Sequence, residues 1–254
     1  MCPDFKFLGI TLYYWGYILA FASDYLFNLL YYGKKYGFGK LQTFLTTTLA
    51  IPFGYGLIII TNLIHKSGLN WVRAVIYVPL AVYIICLILK TNFVKTIDML
   101  APMIAINHGV SHIFCIFQGC CYGYPYENGI WNEEQGEYLF PIQLVEAASI
   151  LLIALGIIIY SKKKNFNTQG YPYAIHLLLY GFTRFIYEFF RDNTDQKWQI
   201  SGLQWYALAA FVLGLIGVIL IRVIKNKPDF LKKHAILFDT SLNEVDRIKK
   251  LIKH

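Results

Sequence analysis

Seven ionisable side chains, Asp24, His108, His112, Glu146, His176, Arg184 and Glu188, stand inside stretches that are otherwise apolar. Tyr180, Arg184, Glu188 and Arg191 recur at i, i+4, i+8 and i+11, so a helix carries all four on one face. Arg184 and Glu188 can pair, and two arginines on that face ask for more than one carboxylate. A surplus guanidinium suits a phosphate, which it grips with two parallel hydrogen bonds. A structural ion pair joining two helices is the plainer alternative. Pro141-Ile-Gln143-Leu-Val-Glu146 opens another segment, with Gln143 and Glu146 three residues apart on a shared face. A buried Glu146 either meets a cation from the Arg184 segment or stays protonated, and a merely structural hydrogen-bonding pair is the alternative. His108, His112 and Cys115 follow at i, i+4 and i+7, and vicinal Cys120 and Cys121 come next. Three uses stay open for them. Histidine and cysteine bind zinc, although this spacing matches no standard finger. A histidine titrates near neutrality and can act as a general base. Buried cysteine is also an ordinary small hydrophobe. Gly119 and Gly123 flank the cysteine pair and suggest a tight re-entrant turn.

The elements that position these groups follow from composition. The chain has 254 residues, 57% hydrophobic and only 15% charged, against about 25% charged in soluble domains. Disorder and a soluble two-domain enzyme are both excluded, leaving an all-α polytopic membrane protein. Seven apolar stretches have the length of a membrane helix: roughly 8–31, 42–64, 70–89, 99–118, 143–160, 172–190 and 203–224. No cleavage site follows the first, so it is expected to serve as its own signal.

Basic residues alternate loop by loop. Lys34, Lys35 and Lys40 follow the first stretch, Lys90 and Lys95 the third, and Lys162, Lys163 and Lys164 the fifth. The C-terminal segment adds nine more from Arg222 to Lys253, whereas the other side holds Lys6, Lys66, Arg73, Arg191 and Lys197. This bias places the N-terminus outside and the C-terminus in the cytoplasm, and it reads the +8 net charge as topology rather than nucleic-acid binding. The longest outer loop, 119–142, carries Glu127, Glu133, Glu134 and Glu137 and no basic residue. Two domains are expected: a transmembrane one over 1–227 and a cytoplasmic tail over 228–254. In the tail, Ser241-Leu-Asn-Glu244 fits a capping box. Leu242, Val245, Ile248, Leu251 and Ile252 make the apolar stripe of a short amphipathic helix, lying on the inner leaflet or docked on the protein. Five cysteines, an odd number with a vicinal pair, make no disulfide framework.

Taken in order, these segments resemble the prolipoprotein diacylglyceryl transferases of the bacterial inner membrane, well over about 92–224 and weakly before it. Asp98-Met-Leu-Ala101-Pro102 is similar to the family's aspartate-x-x-alanine-proline motif. Ser111 to Gly123 lies over the signature G-R-x-G-N-F-x-N-G-E-x-x-G, in the variant that ends G-C-C-Y-G, and Gln118 lies within it. Phe140-Pro-Ile-Gln-Leu-Val-Glu146 resembles H-P-x-Q-L-Y-E. Tyr180 to Arg191 keeps every fixed position of Y-G-x-x-R-x-x-x-E-F-F-R, and Gly202-Leu-Gln204-Trp205 resembles a G-Q-W-like start of the last span.

The resemblance implies transfer of diacylglyceryl from phosphatidylglycerol to the lipobox cysteine thiol of a preprolipoprotein, with glycerol phosphate leaving. It implies a multi-pass protein of the inner membrane, whose partners are phosphatidylglycerol, the preprolipoprotein signal peptide and membrane lipids, with no nucleic acid and no metal or organic cofactor. The implied catalytic residues are Arg184, Tyr180, His112 and His108, and the implied substrate-binding residues are Gln143, Glu146, Glu188, Arg191, Gln118 and Arg73. Three departures stand out. The signature arginine falls on His112, the histidine of H-P-x-Q-L-Y-E is Phe140, and the family's F-H-G-G stretch is replaced by a segment with Trp71-Val-Arg73. Arg73 is then the cation, and His108 or His112 the base, that can stand in. Two alternatives follow from these departures: a related lipid-dependent transferase with another acceptor, and a non-catalytic membrane subunit that keeps the scaffold.

Overall fold

A computed structural model describes residues 6–65, 71–191, 200–226 and 241–252. A two-residue hairpin, β1 (Lys6–Phe7) with β2 (Ile10–Thr11), leads into α1 (Leu12–Phe27). A π-helical turn, Asn28–Tyr32, prolongs α1 to Lys35. Then come α2 (Lys40–His65), α3 (Trp71–Leu89) and α4 (Phe93–Gln118). The antiparallel hairpin of β3 (Pro125–Asn132) and β4 (Glu137–Leu139) follows. After it run α5 (Ile142–Lys163), α6 (Tyr171–Tyr187), α7 (Gly202–Lys225) and α8 (Glu244–Ile252). Each of the seven apolar stretches falls on one of α1 to α7. Among the described residues, α4, α5 and α7 are long and apolar enough to cross a membrane. Pro52, Pro79 and Pro102 stand inside helices, which membrane helices tolerate when their neighbours satisfy the freed carbonyls.

Helix α4 is the axis of the bundle. Met99, Leu100, Ala101, Ala105, His108 and Ser111 are all buried, because α1, α5 and α6 each pack against it. The closest approach is between α6 and α7, where small residues let the backbones meet. A Cβ on Gly181 would lie 2.6 Å from the Ala207 carbonyl oxygen, and one on Gly214 would lie 2.8 Å from that of Ala174. The outward faces of α5 and α7 carry exposed apolar side chains, among them Leu152, Leu155, Leu213, Ile216 and Leu220. Among the described residues, the all-helical expectation missed the two short hairpins. In the second, the Asn132 side-chain oxygen accepts from the amides of Glu134 (3.0 Å) and Gln135 (3.4 Å), and Gly136 supplies the left-handed residue.

Both ends of α4 are closed by specific contacts. At its start Asn92 caps the helix, accepting from the Lys95 amide at 3.0 Å. The tail helix α8 adds a second cap: Glu244 accepts from the Phe93 amide at 2.9 Å, and Arg247 pairs with Glu244 at 2.8 Å. The Leu242 carbonyl accepts from the Asn92 side chain at 2.8 Å. The expected capping box at Ser241–Glu244 is therefore shifted. Asn243 is the residue whose side chain caps α8, accepting from the Asp246 amide at 2.9 Å, and Glu244 is spent on α4 instead. Its apolar stripe is not wholly covered, since Leu251 and Ile252 stay exposed. Near the same end, buried Asp98 accepts from the Thr168 hydroxyl (2.5 Å) and the Gly170 amide (2.8 Å), fixing the connection into α6.

Candidate active site

The other end of α4 meets α5 and α6 in a buried ionic array. Arg184, in the last turns of α6, donates both bonds of one guanidinium nitrogen to Glu146 of α5, at 3.0 and 2.9 Å. Its second terminal nitrogen reaches Glu188 at 2.8 Å. Arg191 closes the array, 2.6 Å from Glu146 and 3.6 Å from Glu188. Both carboxylates and Arg184 are only about 4% exposed or less, while the Arg191 side chain keeps 13%. The helical register puts Arg184 and Glu188 together as their spacing predicts. The surplus guanidinium expected from that face is corrected: Glu146, arriving from α5, supplies the second carboxylate, so two arginines meet two acids. Such an array is held by mutual neutralisation, and removing one partner strands the rest.

The array has three neighbours from α4 and α6. His112 points its Nδ1 atom at Glu146, 3.8 Å away, and its ring lies 4.6 Å from that of His108. Tyr180 is buried with its ring edge-on to His108 at 5.2 Å and stacked on His176 at 5.7 Å. Among the described residues the Tyr180 hydroxyl and Arg184 Nε have no hydrogen-bond partner. Arg191 Nε is a third such donor, with Glu188 3.6 Å away. Gln143 is fully buried one helical turn before Glu146. Asp24 accepts from Asn107 at 3.0 Å rather than from the array.

Of the expected residues, Gln118 is not brought into the array. It is exposed at the last position of α4. Arg73 lies in the first turn of α3, and its side chain is outside the described residues. One contact was not anticipated: the Ser201 hydroxyl, before α7, donates to Glu188 at 3.3 Å. Ser201 and Gln204 form a reciprocal capping box, and the Ser201-Gly-Leu-Gln204 pattern is the sequence signal for it.

The loop 119–124 is bonded to the segments that lead into Glu146 and Arg191. The amide of Gly123 donates to Phe140 at 2.8 Å, and that of Tyr124 donates to Phe190 at 3.2 Å. The segments that carry Glu146 and Arg191 are thus tied by one short loop. A Cβ on Gly123 would lie 3.0 Å from the Phe140 carbonyl oxygen, which is why that residue is small.

His108, His112 and Glu146 also place one ligand atom each within 4.8 Å of one another. Two guanidiniums already neutralise Glu146, and they would repel a third cation. The donor set fits an acid–base or anion-handling role better than a metal.

Apolar helices of spanning length around a buried charge-lined site define the class, a membrane protein with a polar centre. The prolipoprotein diacylglyceryl transferase family model matches residues 10–221, and the chain belongs to that family. The match takes in the N-terminal helices, where the motif resemblance was weak. The chain is 25% identical over 235 residues to the phosphatidylglycerol–prolipoprotein diacylglyceryl transferase of Clostridium tetani (strain Massachusetts / E88), covering 83% of this chain and 94% of that one. It is 24% identical over 246 residues to transferase 2 of the same name from Clostridium perfringens (strain 13 / Type A), covering 87% and 94%. The Finegoldia magna enzyme of that name is 29% identical over 171 residues, 66% of each chain.

Proposed function

We propose that this chain transfers the diacylglyceryl group of phosphatidylglycerol to the cysteine thiol of a prolipoprotein, the activity for which its relatives are named. The observation that carries the reading is the Arg184–Glu146–Arg191–Glu188 array with His112 at its edge. In the reaction the thiol sulfur bonds to the glycerol carbon, and the bond from that carbon to the phosphate oxygen breaks. The leaving glycerol phosphate takes the electron pair, and the thiol proton passes to a base.

The array suits both demands. Arg191, the more exposed guanidinium, and the unused Nε of Arg184 meet the departing phosphate, where charge develops. Glu188 and Glu146 hold the two forks in register meanwhile. Tyr180 donates its spare hydroxyl, and Gln143 lines the cavity. His112, oriented toward Glu146, or His108 behind it, receives the proton. Gln118 and Arg73 remain candidates for contact with the incoming substrates.

The seven helices are read as seven spans of a bacterial inner-membrane protein, with the N-terminus outside and the array near the outer face. Residues 1–227 form the transferase domain and 228–254 the cytoplasmic tail. Histidine at the position of the signature arginine supports one second reading, the same lipid chemistry on a different acceptor.

Complementation tests the function directly. Cells depleted of their own prolipoprotein diacylglyceryl transferase are given this chain, and a lipoprotein is followed by mobility and mass. The expected result is a diacylglyceryl adduct on the lipobox cysteine, lost in Arg184→Ala. A well-inserted chain that yields no adduct moves the weight to another acceptor or to a scaffold.

A further inference from the structure

Three thiols gather at the end of α4 and take no part in the reaction above. Gly119 stops the helix in the left-handed conformation (φ 68°), and Cys121 repeats that conformation (φ 62°) two residues later. The two left-handed turns fold the vicinal cysteines back over the helix terminus. The Cys120 amide donates to the Cys115 carbonyl at 3.3 Å, and its Sγ lies 3.8 Å from the same oxygen. The sulfurs of Cys115, Cys120 and Cys121 come within 4.8 Å of one another. The fold that holds them is fixed from outside: Asn132 of the β3–β4 hairpin donates to the Gly119 carbonyl at 3.2 Å, and Gly123 is bonded to Phe140.

From this geometry we infer that Cys115, Cys120 and Cys121 form a three-thiolate site for a thiophilic divalent metal ion of the zinc class. A tetrahedral zinc holds sulfurs at about 2.3 Å, hence roughly 3.8 Å from each other, so the three need to close by no more than about an ångström. Soft thiolates select such ions over calcium or magnesium. Three thiolates and a divalent ion leave one net negative charge, and Arg191, whose backbone bridges to Gly123 of the same loop, is a nearby cation. This contrasts with the His108–His112–Glu146 set, whose acid is already taken by arginines. Cys115 is buried, whereas Cys120 and Cys121 are partly open, so an ion can enter from the loop side. Three protein ligands leave a fourth position for water or an added thiol. The site needs only these sulfurs and their loop, and it stands or falls apart from the transfer reaction.

The test uses the full chain, purified in detergent and loaded with zinc or cobalt. Elemental analysis should find one zinc ion per chain, and the cobalt form should show thiolate-to-metal charge-transfer absorption. Both should be lost in Cys120→Ser and in Cys115→Ser and kept in Cys86→Ser. In the unaltered chain, zinc should protect these three cysteines from alkylation while leaving denatured protein fully reactive. Full alkylation in the presence of zinc overturns the inference. So does a disulfide found between any two of the three by peptide mass analysis.

Discussion

The two ends of α4 both bury carboxylates, yet they satisfy them with different chemistry. Where α4 begins, Asp98 accepts from a hydroxyl and a backbone amide, and Glu244 accepts from the first amide of the helix. Both donors to Asp98 are neutral and belong to the connection into α6, so those bonds act as staples, while Glu244 also takes the Arg247 guanidinium of its own helix. Where α4 ends, Glu146 and Glu188 are held by guanidiniums. A guanidinium can exchange a carboxylate for a phosphate with little change of geometry, because both accept the same fork. Buried acid is therefore not in itself a mark of function. Between Asp98 and the Glu146–Glu188 pair, the identity of the donor separates a fixed joint from an exchangeable site.

Substitutions at the two ends should break this contrast in opposite ways. The largest effect is expected from Arg184→Ala, a loss of roughly 10³-fold in transfer rate, since it removes a donor aimed at developing charge. Arg184→Lys should recover little, because a point charge replaces the fork. Lipoprotein mass in membranes carrying equal amounts of each variant measures this. Glu146→Gln should follow, with a stability loss of about 3 kcal/mol in detergent unfolding, as two buried arginines are left with one acid. Stability unchanged in that variant would mean that the array is not the joint between α5 and α6.

His112→Gln should lower the rate by about 10²-fold if the histidine takes the thiol proton. Activity in the unaltered chain should rise with pH through the range where histidine deprotonates, and the variant should lose that limb. An identical pH–rate profile would remove His112 from proton transfer. At the opposite end, Asp98→Ala should reduce stability by about 2 kcal/mol, leaving two buried donors unpaired. Its transfer rate per folded molecule should be nearly unchanged, and a rate loss as deep as that of Arg184→Ala would erase the distinction between the ends. The smallest effect belongs to Glu244→Ala, about 1 kcal/mol, the usual size of a lost helix cap. Hydrogen exchange confined to the first turn of α4 should report it.

Much of this was legible in the chain itself. The apolar stretches fall on α1 to α7, of which α4, α5 and α7 are, among the described residues, long and apolar enough to cross a membrane. The pairing of Arg184 with Glu188 at i, i+4 follows from helical periodicity, but one helix does not carry all four residues: α6 ends at Tyr187, and Arg191 reaches the array from extended backbone after a 3-10 turn over Glu188–Phe190. Other features needed partners far apart in sequence. Glu146 meets Arg184 across 38 positions, and Glu244 meets Phe93 across 151. No local spacing encodes either contact: Glu146 meets a cation of the Arg184 segment, one of the two outcomes open for it, and Glu244 caps α4 because its partner lies on another helix.

The sequence by itself determined the class of fold, the family and the residues that share each helical face, all of which depend on local periodicity and ordered motifs. Only the tertiary structure decided which carboxylate neutralises which arginine, that Gln118 stands outside the array, and that Cys115 turns back onto Cys120 and Cys121. Those outcomes depend on how α4, α5 and α6 pack and on two left-handed residues in one loop. Packing sets distances that composition and spacing leave open.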